Sequence, residues 1–151
     1  DDQGRKYNEK GELKEWWSTE DCAEFTKRSN VVKEHYNTLE SYGSKINGEL
    51  TLGENIADIG GLKLALGALR LHSDSDDLTE EYKRFFQAYA KIWCMNIREE
   101  YAMKLLKIDP HSPATARVNG ALAHIEEFYK TYDVKSGDGM YLEPDNRMNI
   151  W

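Results

Sequence analysis

Two acidic side chains, Glu54 and Asp58, lie four residues apart in a segment rich in alanine and leucine. This spacing places both carboxylates on one face of a helix, in its first turns. Acids are common at helix N-termini because they interact favourably with the helix dipole, so a purely structural role accounts for the pair. Apolar residues and Gly60-Gly61 adjoin the two acids, however, and paired carboxylates on a buried face favour a cation or a histidine partner. The spacing alone leaves both roles open.

A second group of polar residues lies in a loop between two predicted helices. The string Asp109-Pro110-His111-Ser112-Pro113 predicts irregular backbone, because proline disfavours helix in the residue before it. Arg117 follows His111 by six residues, at the start of the next predicted helix. Taken singly, His111 is typical of an exposed or turn-satisfying histidine and Arg117 of a surface charge. A shared functional role for His111 and Arg117 is indicated only when the surrounding sequence is considered.

The segment 53–61, Gly-Glu-Asn-Ile-Ala-Asp-Ile-Gly-Gly, resembles the E-N-x-A-D-x-G-G element of neprilysin-type zinc metallopeptidases, and 109–113 with Arg117 resembles the D-x-H-S-P element and downstream arginine of the same family. The resemblance implies that Glu54 is the third protein ligand of zinc and that Asp58 hydrogen-bonds a zinc-binding histidine. Two histidines and one carboxylate would leave the fourth zinc position open, and a carboxylate behind a histidine fixes its tautomer.

The same resemblance assigns roles to the two basic residues. His111 is implied to donate a hydrogen bond to the oxyanion formed at the scissile carbonyl. Arg117 is implied to hold a backbone carbonyl of the bound peptide. Together with Glu54 and Asp58, these residues form the predicted site. The other three histidines are expected to be surface or core residues without a role in it: His35, His72 and His124.

The rest of the implied site is expected to precede Asp1. None of the four histidines lies in an H-E-x-x-H pattern, and the opening 1–5, followed by Trp16-Trp17, resembles the stretch that comes just after that motif in the family. The opening also lacks an apolar segment typical of a signal peptide, and it looks like a cut within a longer chain. Both histidine ligands and the general-base glutamate are therefore expected upstream. By itself, this chain is expected to be inactive and to bind no zinc.

The ending Asn149-Ile150-Trp151 is similar to the family's ending, so the resemblance covers essentially the whole chain. Secreted animal members carry additional cysteines, including one shortly before the final tryptophan, where this sequence has Arg147-Met148. In this respect the chain looks like the bacterial oligopeptidase O branch. That implies a bacterial, cytoplasmic location, with a secreted or surface location left open.

The elements that must position these residues are predicted from hydrophobic periodicity and from helix-breaking residues. A loop with short turns is predicted over 1–15, and a weak turn signal at Asn47-Gly48 favours a short hairpin between Tyr42 and Gly53. The two glycines at 60 and 61 predict close approach by another backbone. The fold class is mainly α, the C-terminal helical portion of a thermolysin-like catalytic domain over 1–151, with at most a short hairpin. Helices are predicted at 18–42, 54–72, 79–98, 99–107 and 114–131.

Composition excludes several other classes of protein. With 151 residues and 40% hydrophobic residues, the chain can bury a core as one domain, and no apolar run reaches the ~20 residues that a membrane span needs. A formal charge of −7, with basic residues scattered among acids, argues against nucleic-acid binding. Cys22 and Cys94 form no C-x-x-C pair and are expected to be buried free thiols, which suits a reducing compartment. The four tryptophans are expected to be packing anchors.

The intact protein is therefore predicted to be a zinc endopeptidase that hydrolyses short peptides. Two alternatives stay open: a helical domain that folds without activity of its own, and a helical interaction module that shares the fold and has lost catalysis. An intact upstream H-E-x-x-H would argue against the second. The expected partners are peptide substrates and the upstream part of the same chain. Without that part, the face bearing Glu54, Asp58 and Gly60-Gly61 is expected to be exposed, locally disordered or covered by self-association.

Overall fold

The computed structural model describes residues 2–150, so the packing role expected of Trp151 and the resemblance at Asp1 lie outside the described residues. The described part is mainly helical, as predicted, with one short antiparallel hairpin. Two 3-10 turns, Gly4–Lys6 and Pro144–Asn146, lie near its ends. The elements in chain order are α1 Thr19–Thr38, β1 Glu40–Ser41, β2 Ser44–Lys45, α2 Leu52–His72, α3 Thr79–Ile92, α4 Glu99–Ile108, α5 Ala114–Leu122 and α6 Glu126–Tyr132.

Helix α2 lies at the centre of the core. It packs against α1 and α5, while α3 packs against α6. The apolar face that the periodicity predicted is buried, and burial of one such face supplies most of a helix's stability in a protein. This arrangement fixes the first turns of α2 relative to the start of α5. The buried residues of α2 are Leu52, Asn55, Ile56, Ile59, Gly60, Leu62 and Leu66.

The hairpin lies earlier in the chain than predicted. Its turn is Tyr42-Gly43, where both residues have positive φ (51° and 70°), the backbone of the turn type that matches strand twist. The prediction that Asn47-Gly48 forms the turn was therefore wrong. Asn47 instead accepts hydrogen bonds from the backbone N–H groups of Glu49 and Leu50. A Cβ at Gly48 would lie 2.3 Å from the Lys33 carbonyl oxygen, so close approach explains that glycine.

Three helix predictions need correction. Helix α1 ends at Thr38 rather than at 42, because the first strand of the hairpin begins at Glu40. Helix α3 ends at Ile92 rather than near 98, and the single helix predicted over 114–131 is two helices, α5 and α6. The break at 123–125 lies where the His124 ring turns inward and is buried. A ring that bonds to distant parts of the chain is a tertiary feature, which local periodicity does not contain.

His124 ties the C-terminal segment to the core. Its Nδ1 accepts a hydrogen bond from the Met148 backbone N–H at 2.9 Å, and its Nε2 lies 2.9 Å from His35 Nδ1. Because Nδ1 is the acceptor, a neutral His124 carries its proton on Nε2 and donates it to His35. Lys63 donates to the Met148 carbonyl oxygen at 2.7 Å. Arg147, stacked on the Tyr129 ring, holds the same segment.

This arrangement predicts loss of stability in acid. Burial lowers the pKa of His35 to about 4 and that of His124 to about 3, where the nearby cations Lys63 and Arg147 add to the effect. The folded state keeps both rings neutral, whereas the unfolded chain binds protons below about pH 6.5. Their contribution to stability is therefore full above about pH 6.5 and is lost as the pH falls towards 4, by about 1 kcal/mol per pH unit for each ring.

Denaturant unfolding of the intact protein between pH 7 and 4.5 checks this prediction. We expect His124→Asn to flatten the pH dependence, because a neutral carboxamide still accepts from the Met148 N–H but does not titrate. The exposed His72→Asn is the control and should leave the slope unchanged. Equal slopes in the unaltered protein and His124→Asn would contradict the assignment.

Several expectations about single residues differ from the structure. Cys22 is partly exposed and Cys94 exposed, so the prediction of buried thiols was wrong, although both are free. Trp16 is 60% exposed and packs edge-to-face on Trp17, so it is not a buried anchor of the core. A Cβ on Gly61 would meet nothing within 4 Å, so the close backbone approach expected there is not made by residues 2–150. Among these residues, no helix is long and apolar enough to cross a membrane.

Candidate functional site

The first turns of α2 present two carboxylates on one face, as their spacing predicted. Glu54 lies in the first turn of the helix and Asp58 one turn later. The Glu54 side chain is 43% exposed, whereas that of Asp58 is only 12% exposed. The two acids therefore differ in environment: one opens towards solvent and the other is covered by α5.

Asp58 is covered because the Arg117 guanidinium donates two hydrogen bonds to its carboxylate. Arg117 Nε donates to Oδ2 of Asp58 and its terminal Nη2 donates to Oδ1, each at 2.7 Å. Such charge-assisted pairs are stronger and more directional than neutral hydrogen bonds. The hydrogen bond to Asp58 raises the pKa of the Arg117 guanidinium above its ordinary value. The pair joins α2 to the first turn of α5.

His111 is oriented by Asp109, two residues before it. Oδ1 of Asp109 accepts from the His111 backbone N–H at 2.8 Å and lies 2.7 Å from the ring Nδ1. These two contacts, the backbone one first, hold the pKa of the Asp109 carboxyl below its ordinary value. Because an ionised carboxylate only accepts, Nδ1 is the donor and Nε2 is left for another partner.

Nε2 of His111 points to Glu54. It lies 3.5 Å from Oε2 of that carboxylate, and the two side chains are about equally exposed, at 47% and 43%. The structure thus brings all four predicted site residues to one end of α2. Glu54 and His111 meet at the open edge, and Asp58 and Arg117 pair one turn deeper.

A buried polar contact that the sequence prediction did not use joins the two motifs. Ser112 donates to Oδ1 of Asn55 at 2.7 Å, and Asn55 Nδ2 donates to the Thr51 hydroxyl at 2.9 Å. All three side chains are buried. Asn55 follows Glu54 and Ser112 follows His111, so this contact fixes the distance between the two site residues. The sequence could have indicated this contact, because Asn55 and Ser112 both belong to the two family motifs.

Removal of that contact should destabilise the protein measurably. Ser112→Ala leaves the buried Asn55 carbonyl without a donor, which costs about 1–3 kcal/mol. We expect the free energy of unfolding, measured with denaturant on the intact protein, to fall by this amount. Ser75→Ala, in the exposed turn before α3, is the matched control and should stay within about 0.5 kcal/mol. If Ser112→Ala lowered the free energy of unfolding no more than Ser75→Ala does, the contact would not contribute to stability.

Among the described residues, Glu54 has the properties of one zinc ligand. Among residues 2–150 no group donates a conventional hydrogen bond to the Glu54 carboxylate, and His111 Nε2 lies 3.5 Å from its Oε2. A half-exposed carboxylate with free lone pairs is a suitable oxygen ligand for zinc. The same described part holds no cluster of three or more His, Cys, Asp or Glu side chains. Glu54 would need ligands from outside residues 2–150.

An open, largely apolar pocket of about 640 Å³ adjoins the basic side of the site. Its walls come from the end of α3, from α4 and from the first turn of α5. Both His111 and Arg117 line the pocket, so a molecule of suitable size can contact the two residues at once. Among the lining residues are Trp93, Met95, Leu105, His111, Arg117 and Val118.

Comparisons with known proteins identify a family that this chain resembles along its whole length. The model of Peptidase family M13 matches residues 1–148. A "Neutral endopeptidase" of Lactococcus lactis subsp. lactis is 38% identical over 151 residues, covering 100% of this chain and 23% of that protein. "Neprilysin-3" of Drosophila melanogaster is 35% identical over 161 residues, covering 100% of this chain and 20% of its own length. The chain thus spans about a quarter or less of these relatives.

Two solved structures share the fold. The zinc metalloprotease ZMP1 of Mycobacterium tuberculosis, in complex with an inhibitor, superposes with a TM-score of 0.89 at 34% identity, covering 100% of this chain and 25% of that one. PEPO from Lactobacillus rhamnosis superposes with a TM-score of 0.86 at 35% identity, covering 98% and 23%. The resemblance read from the E-N-x-A-D-x-G-G and D-x-H-S-P elements is confirmed. The chain belongs to Peptidase family M13.

Proposed function

We propose that the protein containing this chain is a zinc-dependent endopeptidase that hydrolyses short peptides, and that this chain is the C-terminal part of its catalytic domain. The observation that carries the proposal is the meeting of Glu54 and His111 at 3.5 Å, with the Glu54 oxygens not occupied by other donors of residues 2–150. Membership of a peptidase family and relatives named neutral endopeptidase and neprilysin support it.

Glu54 is proposed as the zinc ligand of this chain. Two histidine ligands and a general-base glutamate would come from the part of the protein that precedes Asp1, in keeping with the quarter of the relatives' length that the chain covers. Zinc, when bound, supplies Lewis-acid polarisation of the scissile carbonyl and favours ionisation of the attacking water. Without those ligands, this chain by itself is proposed to be inactive.

Asp58 is proposed to orient one of the zinc-binding histidines. Each of its oxygens already accepts one hydrogen bond from Arg117, but a carboxylate oxygen has two acceptor positions. Asp58 can therefore hold Arg117 and a histidine N–H at the same time. Its low exposure strengthens both contacts, since a less polar environment screens charge less. The carboxylate would keep the histidine in the tautomer whose other nitrogen binds metal.

His111 is proposed to stabilise the oxyanion that develops at the scissile carbonyl. With Nδ1–H held by Asp109, the ring donates from Nε2 only in its protonated form. A protonated ring would offer a positively charged donor to the negative charge that develops on the carbonyl oxygen.

Arg117 is proposed to hold a backbone carbonyl of the peptide. A guanidinium has five N–H donors, and two of them are used by Asp58. Within residues 2–150 the other three make no conventional hydrogen bond and can bind a peptide. The adjoining apolar pocket can take a peptide side chain while Arg117 binds the main chain. Binding of this kind acts on the substrate and the transition state alike.

The upstream part of the protein is proposed to cover the outer face of α2. Leu64 and Leu71 are 78% and 85% exposed there, and Ala57 and Gly61 on the same side are also exposed. Such a contiguous apolar strip is typical of an interface. For the isolated chain, we expect self-association through this face, which sedimentation against concentration would detect.

The location of the protein in a bacterial cytoplasm is also a proposal. It is supported by the bacterial origin of the Lactococcus relative and by the free state of Cys22 and Cys94.

Zinc content and peptide cleavage by the intact protein test the proposed function. We expect about one zinc per protein, cleavage of short peptides within the chain, loss of cleavage with a chelator, and recovery on adding zinc. A series of peptides of increasing length then defines the size limit. An intact protein that holds no zinc and cleaves none of the peptides would favour the alternative, a helical interaction module with the same fold.

A further inference from the structure

Arg117 is held by more than its ion pair with Asp58. The guanidinium carbon lies 3.9 Å from the centre of the Trp93 ring, well within the distance of a cation–π contact. The Arg117 side chain is only 15% exposed, so this contact is largely screened from water. The pair therefore falls towards the stronger end of such interactions, which weaken when both groups are solvated.

The same helix also fixes the backbone of Arg117. Tyr89 lies four residues before Trp93, so the two side chains project from the same side of the end of α3. The Tyr89 hydroxyl donates to the Arg117 carbonyl oxygen at 2.9 Å. Tyr89 thus anchors the main chain of Arg117, while Trp93 contacts its side chain.

The contacts made by Asp58 and Trp93 restrict different motions. A carboxylate that accepts two bonds from one edge of a guanidinium lies near its plane and fixes its direction. The Trp93 ring, whose centre lies 3.9 Å from the guanidinium carbon, restricts movement of the group towards the end of α3. Together they leave the unused N–H groups of Arg117 pointing one way. Without the ring, the guanidinium would still bind Asp58, but its orientation would be less restricted.

We propose that Trp93 is a positioning residue of the peptidase site, whose ring holds Arg117 in the orientation in which its free N–H groups meet the main chain of a bound peptide. This inference rests on the proposed function. It differs from a role of Trp93 as a plain wall of the apolar pocket, because it acts through Arg117. A wall residue would contribute to binding whether or not the arginine is present.

A double-mutant cycle on the intact protein separates these two roles. The variants are Trp93→Leu, Trp93→Phe, Arg117→Gln and the double variant Trp93→Leu/Arg117→Gln. We expect Trp93→Leu to raise KM about three- to tenfold with kcat nearly unchanged, because uniform binding is lost. Trp93→Phe keeps an aromatic face and should recover most of the loss. In the Arg117→Gln background, Trp93→Leu should add less than about twofold.

Phe85→Leu is the matched control, since it makes a similar change on the same helix and packs against Phe86 in the core. It should leave KM as in the unaltered protein. Independent, multiplying effects of Trp93→Leu and Arg117→Gln would overturn the proposal, as would an unchanged KM in Trp93→Leu.

A second readout does not depend on turnover. The thermal midpoints of the unaltered protein, Trp93→Leu, Arg117→Gln and the double variant form the same cycle. Trp93→Leu should shift the midpoint less in the Arg117→Gln background than in the unaltered one. Equal shifts would overturn the stacking contact itself. If the unaltered protein cleaves no peptide, the proposed function fails, and this thermal cycle still decides whether Trp93 holds Arg117.

Discussion

Glu54→Ala is expected to abolish peptide cleavage by the intact protein and to release its zinc. Loss of a group that merely supports a ligand typically costs 10- to 100-fold in metal affinity, so we expect loss of the ligand itself to cost at least about 100-fold. The fold should survive, because the Glu54 side chain is half-exposed and accepts no conventional hydrogen bond from residues 2–150. Zinc content after dialysis and the initial rate of cleavage measure the two effects.

Glu99→Ala is the matched control for this change. Glu99 is an exposed acid in the first turn of α4, as Glu54 is in the first turn of α2, so both substitutions remove the same interaction with a helix dipole. Zinc content and cleavage should be unaltered in the control. If Glu54→Ala kept full zinc and full activity, the assignment of Glu54 as a ligand would be wrong and the helical-module alternative would gain support.

His111→Ala is expected to lower kcat about 100- to 1,000-fold while zinc stays bound. Removal of one preorganised donor to an oxyanion typically costs about 3–4 kcal/mol in the transition state, and little in the ground state, where the negative charge is absent. KM should therefore change far less than kcat. Steady-state kinetics with one short peptide, together with zinc content, separate the two parameters.

The exposed His72, at the last turn of α2, offers a control for His111. His72→Ala should leave kcat, KM and zinc content unchanged. A His111→Ala variant that raises KM alone would indicate a role in substrate binding rather than in stabilising the oxyanion. One that loses zinc would indicate that the contact with Glu54 supports the metal.

Much of the fold could be read from local periodicity. Helix α2 was predicted at 54–72 and runs over Leu52–His72, because its buried face repeats with helical spacing. The hairpin and the break between α5 and α6 could not be placed this way. The turn forms at Tyr42-Gly43 although Asn47-Gly48 is the stronger turn sequence, and the break depends on His124 binding Met148, which lies 24 residues later.

For the site as well, the sequence predicts the motif residues but not the distant contacts that support them. Glu54, Asp58, His111 and Arg117 could be named from two motifs, and they lie together in the structure. The supporting contacts could not be derived from spacing, because they join residues far apart in the chain. Trp93 stacks on Arg117 from the end of a different helix, and it was expected only to be a packing anchor.

Glu54 is proposed to bind zinc in the intact protein. Anomalous diffraction at the zinc edge, on crystals of that protein, tests it most directly. We predict one strong peak about 2.0–2.2 Å from a Glu54 carboxylate oxygen, with two histidine nitrogens at about 2.0–2.1 Å completing the protein ligands. A zinc peak bound by other residues, with Glu54 outside bonding distance, would contradict the account.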